Sequence, residues 1–186
     1  MEAFLTATAL VALAEIGDKT QLLSFVLAAR LRRPGTIIAG ILVATLANHA
    51  LAAWAGNWLA SLISPDSLRW GVGVLFIAFG IWTLQPDELD DQPETGRHGA
   101  FLTTLIAFFL AEMGDKTQFA TITLAARFDD LSWVIAGTTL GMMLANVPAV
   151  LFGQKLADRL PLKLTRMAAA AVFVLTGALT LLQPWL

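Results

Sequence analysis

Residues 13–21 read Leu13-Ala14-Glu15-Ile16-Gly17-Asp18-Lys19-Thr20-Gln21, and residues 110–118 read Leu110-Ala111-Glu112-Met113-Gly114-Asp115-Lys116-Thr117-Gln118. The two strings differ only at Ile16 and Met113 and lie 97 residues apart. Each sits in the middle of a long apolar run, 3–29 and 100–126. An ionisable group at a bilayer centre costs about 2.5–3.5 kcal/mol on insertion scales, so one placed there faces the bundle interior and marks a pathway. At about 100° per residue, Glu15, Asp18 and Lys19 share one helix face, and Gln21 extends the stripe. Thr20 points elsewhere unless the helix is unwound. Gly17 and Gly114 permit unwinding, although a glycine also lets a neighbouring helix approach closely.

Outward from these strings the same register continues without a gap. Leu27-Ala28-Ala29-Arg30 faces Leu124-Ala125-Ala126-Arg127, Gly56 meets Gly153, Arg69 meets Arg166, Phe76 meets Phe173, Gly80 meets Gly177, and Thr83-Leu84 meets Thr180-Leu181. Duplication explains such a register. The apolar runs fall at 3–29, 36–62, 68–85, 100–126, 133–157 and 165–185, each near the roughly 20 residues that cross a hydrocarbon core. With three spans per half, the second half enters the membrane from the opposite side. The expected fold is therefore an all-α integral membrane protein, six transmembrane helices as two inverted three-helix repeats. Residues 1–85 form the first repeat, 86–99 an acidic linker and 100–186 the second repeat. Inverted repeats characterise secondary transporters, which expose a midplane site alternately to each side.

The composition excludes other classes. Hydrophobic residues make up 57% of the 186 and charged ones 14%, too apolar for a soluble domain. A net charge of -2 and the lack of a long basic run argue against a nucleic-acid partner. There is no Cys, so disulfides, thiolate ligands, Fe–S clusters and thiol redox chemistry are absent and any metal site uses oxygen or imidazole. Glu2, rather than a basic residue, precedes the first run, which is read as a retained helix and not a cleaved signal peptide.

Orientation follows from the basic residues. Arg30, Arg32 and Arg33 flank loop 1–2, Arg97 lies in loop 3–4, and Lys155, Arg159, Lys163 and Arg166 surround loop 5–6, against only Arg69 and Arg127 on the other side. The positive-inside rule places those three loops in the cytoplasm and both termini outside. Asp87, Glu88, Asp90, Asp91 and Glu94, between Pro86 and Arg97, read as a solvated connector with no assigned site.

Of 14 acidic residues, Glu15, Asp18, Glu112 and Asp115 alone lie near span centres. With Lys19 and Lys116 they leave a surplus of two negative charges, which a divalent cation balances. Carboxylate and amide oxygens suit a hard or borderline ion such as Ca²⁺, Mn²⁺ or Mg²⁺. The four acids are the expected metal ligands, with Gln21, Gln118, Asn48 and Asn146 as secondary candidates. Lys19 and Lys116 tune the site, because an ammonium cannot ligate. His49 corresponds to Asn146 in the repeat; a lone His or Asn in a membrane helix is more often an interhelical hydrogen bond than a ligand. Met113, Met142 and Met143 read as packing, and Trp54, Trp58, Trp70, Trp82, Trp133 and Trp185 as interfacial anchors. Gly-Asp-Lys-Thr lacks the earlier glycine and the strand of a P-loop.

The doubled string resembles the calcium/cation antiporter-2 family, which includes Golgi manganese and calcium transporters and bacterial manganese exporters. In that family each three-helix repeat carries an E-x-G-D-(K or R)-(T or S) motif in its first helix, and a variable acidic linker joins the repeats. The resemblance covers essentially the whole chain and implies cation/proton exchange, with Glu15, Asp18, Glu112 and Asp115 as the acids that bind or gate the ion. The expected activity is export of Mn²⁺ or Ca²⁺ from the cytoplasm in exchange for H⁺, with no resident cofactor, in a bacterial inner (plasma) membrane. The bilayer, divalent ions and protons are the expected partners. An exporter of small organic cations or amino acids on the same scaffold is the alternative, for which a four-carboxylate cage is too acidic. An intramembrane enzyme is not expected: there are no thiols or His-rich cluster, and Ser24 has no general base apparent nearby.

Overall fold

The computed structural model describes residues 1–85, 99–128, 130–153 and 162–182. Most of the acidic linker with Arg97, together with Lys155, Arg159 and Trp185, lies outside the described residues. Among the described residues there are eight helices and no strand. The first half contains α1 (Glu2–Glu15), α2 (Lys19–Leu31), α3 (Pro34–Leu62) and α4 (Pro65–Thr83). The second contains α5 (Ala100–Glu112), α6 (Lys116–Arg127), α7 (Leu131–Phe152) and α8 (Leu162–Leu182).

The apolar runs 3–29 and 100–126 are not continuous helices, which corrects the sequence expectation. α1 stops at Glu15 and α2 starts at Lys19; α5 stops at Glu112 and α6 starts at Lys116. The cause is the central glycine: Gly17 has φ +85° and Gly114 φ +75°, a left-handed conformation that Gly adopts without steric penalty. A Cβ on Gly114 would meet nothing within 4 Å, so backbone freedom, not close helix packing, explains glycine there. The angular argument that placed Glu15, Asp18 and Lys19 on one face of a single helix therefore does not apply.

Three described stretches, Pro34–Leu62, Leu131–Phe152 and Lys163–Leu182, are long and apolar enough to cross a membrane alone. Pro34 and Pro65 open α3 and α4, where a missing N–H removes no helix bond. The surface is that of a membrane protein. Leu51, Trp54, Trp70, Leu144 and Phe152 are exposed, while Glu15, Asp18, Gln21, Ser24, Asn48, His49, Glu112, Asp115 and Asn146 are buried, the reverse of a soluble domain.

The two halves interleave. α1 and α2 pack on α7, α5 and α6 pack on α3, and α4 pairs with α8. Gly73 and Gly177 make the α4–α8 contact close: a Cβ on either would lie about 3 Å or less from the carbonyl oxygen of the other. This swap places the break of each half beside the long helix of the other.

Candidate metal centre

The two breaks are built alike. Ile16 and Met113 are extended after the last helical residue, the glycine turns left-handed, and Asp18 and Asp115 are extended at the N-caps of α2 and α6. The Asp18 N–H donates to the Glu15 carbonyl and the Asp115 N–H to the Glu112 carbonyl, both at 3.1 Å. The Gly17 N–H donates to Gln21 Oε1 at 2.9 Å, and the Gly114 N–H to Gln118 Oε1 at 2.8 Å. A backbone donor exposed by unwinding is thus satisfied by a glutamine one turn later, a relative of the capping box. Within a bilayer this matters, because an unpaired N–H has no water to turn to.

Unwinding also brings the motif threonine back to its glutamate. Thr20 Oγ1 donates to Glu15 Oε2 at 2.5 Å and Thr117 Oγ1 donates to Glu112 Oε2 at 2.8 Å. In each glutamate Oε1 is buried with no hydrogen-bond partner among the described residues. Buried polar atoms are normally paired, so these two oxygens are free to take a further partner. Carboxylate oxygens of Glu15, Glu112 and Asp115 all lie within 4.8 Å of one another. Oxygens so spaced can each touch a single ion at the roughly 2.3–2.6 Å of a Ca²⁺–oxygen bond.

The lysines pair across the halves. Lys116 Nζ lies 2.6 Å from Asp18 Oδ1, and Lys19 Nζ 3.0 Å from Asp115 Oδ1. Each half therefore supplies an ammonium to the aspartate of the other. The lysines balance the aspartates, which leaves the two glutamates without a lysine at ion-pair distance among the described residues.

The secondary candidates surround this centre. Asn146 Nδ2 lies 3.4 Å from Glu15 Oε2, and Ser24 Oγ donates to Asn146 Oδ1 at 2.7 Å. Gln21 Nε2 donates to the Ala145 carbonyl, Gln118 Nε2 to Asn48 Oδ1, and Asn48 Nδ2 to the Phe109 carbonyl. All four amides act here as hydrogen-bonding struts between a break and the long helix facing it. Met142 is buried with Sδ 3.0 Å from Asn146 Nδ2, whereas Met113 is 55% exposed. Sequence reasoning missed the Thr–Glu bonds and the crossed ion pairs. The glycine three residues before each threonine was the signal for the first; no signal in one dimension pairs Lys19 with Asp115.

The sequence profile of a family described as "Divalent cation/proton antiporter GDT1" matches residues 3–91 and 100–186. A Vibrio cholerae protein named "Putative manganese exporter" is 56% identical over 171 residues, covering 91% of this chain and 86% of its own. GDT1-like protein 5 of Arabidopsis thaliana is 30% identical over 223 residues, covering 99% of this chain and 97% of its own. No solved structure matches the chain. Two broken helices meeting in a cage of carboxylates accord with these matches, and the chain belongs to the GDT1 family of divalent cation/proton antiporters.

Proposed function

We propose that the protein exports Mn²⁺, or Ca²⁺, from the cytoplasm in exchange for protons, through one midplane site that Glu15, Asp18, Glu112 and Asp115 build. The observation that carries this reading is the convergence of Glu15, Glu112 and Asp115 oxygens within 4.8 Å, with an unpartnered oxygen on each glutamate. That spacing fits a bare ion and is too tight for an organic cation. The helix ends add to it: α1 and α5 both finish at the cage, and carbonyl-rich helix ends at a discontinuity favour cations. The name of the Vibrio cholerae relative favours Mn²⁺.

Exchange follows from charge. Once the ion leaves, two glutamates without balancing lysines stay buried, and buried ions carry penalties of several kcal/mol each. Protons taking the place of the ion remove that penalty, so about two per divalent ion keep the moving site neutral. Metal binding then requires the ligands to lose protons and weakens at acid pH. Everted vesicles given a pH gradient, acid inside, should accumulate Mn²⁺ while the lumen loses protons, and a membrane potential alone should drive little uptake. Uptake that ignores the pH gradient would rule out antiport and favour a channel or uniporter.

The membrane arrangement belongs to the same proposal. α1 with α2 and α5 with α6 each form one interrupted span, which gives six spans in two inverted repeats, 1–85 and 100–186. The linker and loop 1–2 face the cytoplasm and both termini face outward. The chain has no cysteine, so single introduced thiols report sidedness cleanly. Glu2→Cys should react with an impermeant maleimide on intact cells, and Arg33→Cys only after lysis; the opposite pattern would invert the topology.

A further inference from the structure

A chain of three side chains completes the break of the first half. Ser24 Oγ donates to Asn146 Oδ1 at 2.7 Å, and Asn146 Nδ2 reaches Glu15 Oε2 at 3.4 Å. The repeat register of 97 carries Ser24 to Thr121, Asn146 to His49 and Glu15 to Glu112. Those three do not form the matching chain. Thr121 Oγ1 turns back to the Thr117 carbonyl at 2.8 Å. His49 is fully buried, yet neither ring nitrogen has a hydrogen-bond partner among the described residues. Glu112 Oε2 accepts from the hydroxyl of Thr117, with no counterpart of the Asn146 amide among the described residues.

The halves also sit in different surroundings. Met113 is 55% exposed whereas its counterpart Ile16 is half-buried, and the Lys19 side chain is 25% exposed against 5% for Lys116. Inverted repeats are related by a pseudo-two-fold axis in the membrane plane, so exchanging the conformations of the two halves turns an arrangement open to one side into one open to the other. An arrangement seen in one half is then the arrangement the other half takes next.

We propose that His49 is the positioning residue of Glu112 in the oppositely facing state: Thr121 Oγ–H donates to one imidazole nitrogen, and the other ring N–H donates to Glu112 Oε2. The inference rests on the antiport reading, since it needs two exchanging states. A neutral imidazole carries one acceptor and one donor, the same pair that Asn146 uses through Oδ1 and Nδ2. An imidazole can thus replace the amide without leaving either neighbour unsatisfied. Its burial without partners here is explained as well, because the bonds it is shaped for belong to the other state.

The test uses the full-length protein in right-side-out and everted vesicles, with Mn²⁺ as the probe. His49→Leu, which fills similar space without polar atoms, should slow transport ten-fold or more, and His49→Asn, the residue of the other half, should restore at least a third of the rate. Thr121→Val should lower the rate several-fold in the wild-type background and less than two-fold in His49→Leu, since the two act in one chain. Asn146→Leu and His49→Leu should weaken apparent Mn²⁺ affinity from opposite sides of the membrane. Full activity in His49→Leu with loss in His49→Asn would mean a packing role and overturn the inference, as would additive losses at His49 and Thr121 or affinity shifts from the same side. Should His49→Leu fail to fold, His49→Asn and Thr121→Val still decide: loss in the first with no loss in the second overturns the proposal. A wild-type chain that moves no divalent cation would overturn both readings, whereas wild-type antiport with any of these contrary patterns would overturn only this one.

Discussion

Glu15→Gln and Glu112→Gln are each expected to lower Mn²⁺ transport on the order of 100-fold or more. The magnitude follows from comparison with residues one shell further out, whose loss alone costs about 10–100-fold in metal affinity or activity. Both glutamates carry a buried, unpartnered Oε1 and place a carboxylate oxygen in the same cluster, and glutamine keeps the shape while removing the charge that lacks a lysine to balance it. On the proposed shared site, the double variant should fall little below either single one. Thr20→Val and Thr117→Val, which remove the hydroxyls holding Oε2 in place, should lose about ten-fold. Isothermal titration with Mn²⁺ on purified protein gives the direct measure. Two ions bound independently, one lost in each single variant, would show that the halves carry separate sites.

Lys116→Met should destabilise the protein by about 3–5 kcal/mol, the range for removing one partner of a buried ion pair. Lys116 and Asp18 have side chains 5% and 0% exposed and meet at 2.6 Å; the variant leaves Asp18 without its ammonium partner where water does not reach. Lys19→Met should fall at the lower end of that range, because Lys19 is itself 25% exposed and gives up less burial, while Asp115, 4% exposed, still loses its ammonium partner. Replacing both members, Asp18→Asn with Lys116→Met, should recover much of the stability, since a neutral pair avoids the unbalanced charge. Transport should stay lost if Asp18 is part of the proposed site. Thermal unfolding followed by Trp fluorescence in detergent separates the two effects. A larger loss from Lys19→Met than from Lys116→Met would remove the distinction between the part-exposed and the buried lysine.

Much of this architecture is legible in one dimension because bilayer physics acts on composition. An apolar run long enough to span, with Glu, Asp and Lys at its centre, has few stable environments, and its recurrence 97 residues later is a covalent fact of the chain. Membrane residence, the buried position of the four motif acids and the special character of Gly17 and Gly114 could be read without coordinates. The helix breaks could not be assigned with the same certainty. A glycine in a helix serves either for unwinding or for close packing, and only the φ of +85° and +75° decides between them.

Partnership was beyond the sequence altogether. A charge count shows two lysines against four acids, but not that Lys19 reaches Asp115 and Lys116 reaches Asp18. Such pairs join residues about one half-chain apart, and distance in space is not a function of distance in sequence. The same limit hid the roles of Asn146 and His49, which stand at equivalent positions in the repeat. The sequence by itself determined that one motif and its flanking register recur 97 residues apart. Only the tertiary structure decided that the two halves are unequal in the state adopted, with Asn146 bonded to Glu15 and His49 buried without a partner among the described residues. The physical reason is that partners far apart in sequence are chosen by tertiary packing, here of α1 and α2 on α7 and of α5 and α6 on α3, and the side chains differ at the equivalent positions Asn146 and His49.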